Sequence, residues 1–364
     1  MQSLDAVCEK SSKSSNNKKY YEDINLFRGF AIFTIVWEHF FMVIRGFGGN
    51  WSSNWLILED FRSAFIDDGS AFFVFISGFL FYSVFYRRGF DYKRFMYGKL
   101  TKVFCPYFII ATLFLLYNNH FSFKGIDDVF VLNSYTFMSF WYIPFIMVMF
   151  SVSPIFINYI KLENKFKIII LILSAVVSCL IGRRNYNPFL STIFWMSFYL
   201  LGIFVAINYD KLNRKSINDK LCIVYIAILI SVTTMCLTGY PKKVYNFPTW
   251  ELSFNHPSFI VFGKLSLCLA YLIFFGWLIN KNLAIVNGVF EIFAKYSFSI
   301  FFLQQFFLLY LIRHNHREFF SSLNFWQTEL VSLIVAIGVS VACILIAWVV
   351  KKLTGRYSRM VIGA

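Results

Sequence analysis

Arg28, Glu38 and His39 fall within one apolar stretch, Ile24 to Ile44, INLFRGFAIFTIVWEHFFMVI. About 20 such residues at 1.5 Å each suffice to cross the roughly 30 Å hydrocarbon core of a bilayer. Ionisable groups inside a span are costly and must face protein or a water-filled cavity, so each marks a candidate functional site. Arg28 and His39 are eleven residues apart, which is three helical turns plus roughly 20°. They therefore leave one face, about 16 Å apart along the axis. Glu38 leaves another. An arginine near one membrane surface can hold an anion, and a histidine deeper on the same face can take and return a proton. The plainer reading makes the histidine a polar contact that joins helices.

The elements that must position these groups are membrane helices. Of the 364 residues, 58% are hydrophobic and 15% charged, where a soluble chain would carry about a quarter charged residues. The 48 phenylalanines suit lipid contact and an interfacial belt. A net charge of +15 would fit a nucleic-acid binder, but no soluble domain is present to offer a basic face. Six of the seven cysteines lie in or beside apolar runs and none forms a C-x-x-C pair, which points to neither a disulfide framework nor a zinc site. No metal is expected.

Apolar runs predict an all-α polytopic membrane protein of about ten transmembrane helices: 24–44, 70–86, 103–118, 139–160, 166–182, 189–208, 221–238, 259–279, 289–312 and 328–350. The ninth is interrupted by Lys295. Of the 34 basic residues, 22 fall in one set of alternate connections and 9 in the other. The richer set includes 87–102, 161–167, 211–220 and 351–359. The positive-inside rule then places both termini in the cytoplasm. Residues 1–22 are expected as a disordered tail, 23–352 as the membrane domain and 353–364 as a short cytoplasmic tail. On this topology Arg28 lies near the cytoplasmic surface and His39 in the outer half of the membrane.

Further motifs follow in order: FVFISGFLF at 73–81, KLTKVFCPY at 99–107, FWYIPFIMVMFSVSP at 140–154, FYLLGIF at 198–204 and YSFSIFFLQQFF at 296–307. Together with the Arg-x10-His helix they resemble the membrane-bound acyltransferase-3 family over about residues 22 to 350. Val74 replaces the second phenylalanine of that family's FFxxSGF segment. Lys99-x-x-Lys102 stands where the family commonly has Arg-x-x-Arg, and Gln304 where a histidine is usual. The resemblance implies transfer of an acyl group, usually acetyl from acetyl-CoA, to a hydroxyl of a surface glycan at a bacterial cytoplasmic (inner) membrane. It puts Arg28 and His39 in the motif positions. Arg28, Ser77, Lys99 and Lys102 become candidate donor contacts, and His39 the general base or the seat of a transient acyl group. Asp68 could receive a sugar hydroxyl and Trp141 could stack on a sugar ring.

Each motif has a plainer reading. Ser77-Gly78 permits close helix packing, the lysines anchor the chain at anionic lipid, Asp67 and Asp68 cap a loop, and tryptophans form an interfacial belt. His120, His256, His314 and His316 fall in expected outer loops, which leaves His39 as the only imidazole in a span. No Gly-rich phosphate loop, G-x-S-x-G or metal-spaced His/Cys cluster is present. A donor other than acetyl, such as succinyl, would keep the same fold. A transporter or flippase of a lipid-linked glycan, with Arg28 and His39 in proton coupling, is the rival of a different class. Internal inverted repeats would favour it, and the sequence carries none.

Overall fold

The computed structural model describes residues 22–47, 53–117, 140–182, 187–238, 257–314 and 317–364. Every regular element among them is a helix. Eight continuous helices are long and apolar enough to cross a membrane, and two bent pairs bring the number to ten. The protein is an all-α, multi-pass membrane protein. The first 21 residues, His120, His256, His316, Trp250 and the basic residues Lys124, Arg183, Arg184, Lys242 and Lys243 lie outside the described residues.

The helices run α1 (Glu22–Phe47), α2 (Ser53–Phe65), α3 (Gly69–Leu80), α4 (Tyr92–Lys99), α5 (Cys105–Tyr117), α6 (Tyr142–Ser151), α7 (Ser153–Lys161), α8 (Asn164–Ile181) and α9 (Pro188–Ile207). They continue with α10 (Tyr209–Asn213), α11 (Ile217–Thr238), α12 (Ile260–Asn280), α13 (Ala284–Lys295), α14 (Ser297–Arg313), α15 (Arg317–Phe320), α16 (Phe325–Thr354) and α17 (Ser358–Val361). Helix α1 stands at the centre and packs against α3, α12, α13, α14 and α16. Its Ile24, Phe27, Ala31, Ile32, Val36 and Phe40 are all but inaccessible. A helix that is apolar all round belongs inside a bundle. The Phe27 ring lies 5.5 Å from that of Phe72 and 5.7 Å from that of Phe275, which ties α1 to α3 and α12.

Helix α16 shows how one span serves two surroundings. Thr328, Ser332, Ala336, Ser340, Cys343 and Ala347 are buried, a small-residue seam of the kind that lets membrane helices approach closely. Leu330, Ile334, Ile337, Val341 and Leu345 are exposed on the other side, where lipid takes the place of water. Between α3 and α9 the approach is closer still. A Cβ at Gly78 would sit 2.0 Å from the carbonyl oxygen of Tyr199. The plain reading of Ser77-Gly78 as a close-packing pair therefore describes the glycine.

Three irregularities shape one end of the bundle. The helix that begins as α3 widens into a π-turn at Phe81–Tyr86, and a second π-turn, Leu100–Phe104, joins α4 to α5. In the second, the N–H of Cys105 reaches back to the carbonyl of Leu100. Pro106 supplies a reason: it has no N–H to continue an α-helical ladder and clashes with the preceding turn. The third is a 75° bend between α13 and α14. It falls directly after Lys295, so the ninth span starts earlier than its apolar run suggested and is broken where the charge stands. Breaks in a helix need protein or water to satisfy the freed backbone, and these three surround a cavity.

Candidate functional site

That cavity has a volume of about 930 Å³. Arg28 of α1 and Ser77 of α3 line it, and so do both π-turns and the two sides of the α13–α14 bend through Lys295 and Ser297. Seven cationic side chains border it: Arg28, Arg88, Arg94, Lys99, Lys102, Lys295 and Arg359. Asp91 is the one acidic side chain among the lining residues. Such an imbalance in a low-dielectric wall concentrates anions.

Individual groups in the cavity are held in place. Lys99 extends its Nζ over the rings of Phe150, Phe85 and Phe95, at 4.1, 4.9 and 5.2 Å from their centroids. Cation–π contacts of this kind fix a flexible ammonium without neutralising it. Ser77 of α3 and Tyr142 of α6 both line the cavity wall. The Nε of Arg28 is buried and has no hydrogen-bond partner among the described residues. A buried donor left unmatched is costly, and an anion entering the cavity would satisfy it. Four residues singled out in the sequence, Arg28, Ser77, Lys99 and Lys102, thus come together here.

His39 lies elsewhere. It is half-buried on α1, about 16 Å along the axis from Arg28 by helical rise, and is not among the lining residues of the cavity. Its neighbour Glu38 accepts a hydrogen bond from the backbone N–H of Asp68 at 2.9 Å, which anchors the start of α3 to α1. Around this end of α1 a charged network closes. Arg62 donates through Nε to both oxygens of Glu329 at 2.8 and 2.9 Å and is paired with Asp67. Its guanidinium covers the Phe41 ring at 3.9 Å. Lys264, almost wholly buried, donates to the carbonyls of Ser63 at 2.8 Å and Asp67 at 2.6 Å. Trp37 donates to Ser332 of α16 at 3.1 Å. The network fixes α1, α2, α12 and α16 around the half of α1 that carries His39.

The two remaining candidates are placed apart from the cavity. Asp68 sits at the N-cap of α3 with positive φ, beside Glu38. Trp141 is buried in the core, stacked on Phe145 at 5.3 Å and on Trp195 at 5.8 Å. Sequence reasoning did not single out Lys295 and Arg359 as cavity residues, nor the Arg62–Glu329–Lys264 network. Lys264 and Lys295 carried a signal, because each is a charge in or beside an apolar run. Nothing local connects Arg62 to Glu329, 267 residues away.

Comparison with known families adds one match. The model of the acyltransferase-3 family, described as an acyltransferase domain, matches residues 21–350. No curated protein and no solved structure matches the chain.

Proposed function

The chain belongs to the acyltransferase-3 family, and on that premise we propose that it moves an acyl group, acetyl in the first instance, from acyl-CoA to a hydroxyl of a cell-surface or lipid-linked glycan. The observation that carries the donor half is the cavity bordered by seven cations and one carboxylate. A ligand suited to it bears several negative charges, as a coenzyme A phosphate cluster does. Lys99 and Lys102 serve as point charges, and Arg28 offers a planar fork to phosphate oxygens. The separation of about 16 Å between Arg28 and His39 fits a donor whose reactive thioester is carried on a long arm, away from its phosphates.

In this reading His39 takes the proton of the acceptor hydroxyl as its oxygen attacks the thioester carbonyl. The new C–O bond forms, the C–S bond breaks, and the proton passes from His39 to the departing thiolate, releasing CoA. Asp68 lies in the neighbourhood of Glu38 and therefore on the acceptor side. Trp141, stacked in the core, supports the wall rather than the sugar. The protein would work in a bacterial cytoplasmic membrane, with donor arriving from the cytoplasm and glycan from the opposite half.

Sidedness is tested by labelling. Arg28 and Arg359 line the same cavity, which supports an even number of spans with both termini on one side. With a cysteine introduced at Lys215 in a background free of native cysteines, we expect reaction with a membrane-permeant reagent and protection from an impermeant one in intact cells. Labelling from outside would invert the topology and remove the cytoplasmic donor.

Donor binding is tested by Lys99→Ala with Lys102→Ala. The double substitution removes two cations from the cavity, and the expected result is a KM for acetyl-CoA raised at least tenfold with kcat little changed, the pattern of lost uniform binding. CoA release by purified protein with acetyl-CoA and a panel of glycans supplies the assay. A wild-type KM in a correctly inserted double variant would return the lysines to the role of lipid anchors.

A further inference from the structure

We infer that the segment following the last span, residues 358–363, is a fixed wall of the anion cavity, and that Arg359 is a phosphate-binding residue for the donor. The inference rests on the donor reading above and extends it to a part of the chain beyond the 21–350 stretch that the family accounts for.

Sequence pattern alone suggests a tail here, because a basic, polar stretch follows a long apolar helix. The segment is instead folded and attached. After the turn at Gly355, Ser358–Val361 forms the short helix α17, which packs against α5 and the π-turn at Leu100–Phe104. Ser358 and Ile362 are buried. Ser299 of α14 donates its hydroxyl to the carbonyl of Ile362 at 2.9 Å, and Ser358 donates to the carbonyl of Ala364 at 2.8 Å. Gly363 closes the arrangement. Its φ of +73° suits glycine, and a Cβ there would lie 2.7 Å from the Cβ of Phe298. The attachment thus uses α14 at the α13–α14 bend and the π-turn that carries Lys102, both of which border the cavity.

What this attachment presents to the cavity is Arg359. The side chain is exposed and borders the same cavity as Arg28. Neither arginine makes an ion pair with an acidic group among the described residues. Two guanidinium groups on one cavity, neither in an ion pair, repel each other, and a phosphate between them would convert that repulsion into two charge-assisted contacts. The hydrogen bonds at Ser358 and Ile362 fix the backbone on either side of Arg359, so a freely moving tail does not account for the geometry.

The test compares Arg359→Gln, Arg359→Lys and Gly363→Val with the wild-type enzyme, using acetyl-CoA as donor. Arg359 is exposed, so Arg359→Gln should fold normally. Its KM for acetyl-CoA is expected to rise about tenfold with kcat unchanged, and its KM should depend less on ionic strength, because one screened contact to phosphate is gone. Arg359→Lys should recover part of the loss. Gly363→Val, which displaces the wall without removing the charge, should raise KM in the same direction. If Arg359→Gln keeps the wild-type KM and salt dependence while Lys99→Ala with Lys102→Ala raises KM, the wall is structural only and the donor reading stands. If neither set changes KM, the donor site itself is misplaced and the inference falls with it.

Discussion

His39→Gln is expected to lower kcat for acyl transfer by at least about a hundredfold while the protein still inserts and unfolds at the wild-type temperature. A positioned general base contributes about 10² to 10⁴ in rate. A hydrogen bond joining two membrane helices averages well under about 2 kcal/mol of stability. Glutamine matches histidine closely in volume and in hydrogen bonding but cannot take a proton usefully near neutral pH. The substitution therefore separates the two readings of this residue. KM for acetyl-CoA should stay near wild type, because the cavity with its cations is about 16 Å away along α1. Glu38→Gln is the neighbouring control. It retains an oxygen to accept from Asp68 N–H, so a smaller loss is expected. Turnover near the wild-type value in His39→Gln would leave the family assignment intact and remove His39 from the chemistry.

The largest effect on stability is expected at Arg62, whose side chain is 2% exposed. Arg62→Met leaves the carboxylates of Asp67 and Glu329 facing each other without their shared cation. Breaking a buried pair by removing one partner costs about 3–5 kcal/mol. Asp67 and Glu329 retain 13% and 14% exposure, so the lower end, about 3 kcal/mol, is the expected figure. It should be read as a lowered midpoint of thermal unfolding in detergent and a lower yield of folded protein. Arg62→Met with Glu329→Gln removes one of the stranded charges and should restore part of the loss, a coupling that two independent surface residues would not show. Wild-type stability in Arg62→Met would mean that the network is a solvated rim. Turnover per folded molecule should fall far less than in His39→Gln, because Arg62 packs on the Phe41 ring of α1 but takes no proton in the proposed reaction.

The apolar runs in this chain made the architecture legible before any tertiary structure. A bilayer demands that backbone polar groups be satisfied within each segment, so long apolar runs can only be helices. The ten runs accordingly reappear as eight continuous helices and two bent pairs. Their ends were less legible. The third span begins at Tyr92 rather than near 103, because Lys93, Arg94, Lys99 and Lys102 continue the helix beside a cavity instead of ending it in a loop. Helix α2 falls where a connection was expected between the first two spans, since its Glu59, Asp60 and Arg62 break the apolar run that marks the others.

Within the candidate site the same division holds. Arg28 and His39 stood out because a charge inside an apolar run is expensive wherever it is read, and helical spacing alone put them on one face. Lys99, Lys102 and Ser77 could be named by motif, but their meeting with Arg28 depends on how α1, α3 and α4 pack. Arg359 and the Arg62–Glu329 pair were invisible for a different reason. Each is an ordinary residue by local pattern, and its surroundings come from a partner 267 positions away in one case and from the folding of residues 358–363 onto the bundle in the other. Sequence by itself determined which groups the membrane makes costly. Only the tertiary structure decided which of those charges are paired inside the protein and which border a cavity, because pairing and burial are properties of packed helices and not of any one of them.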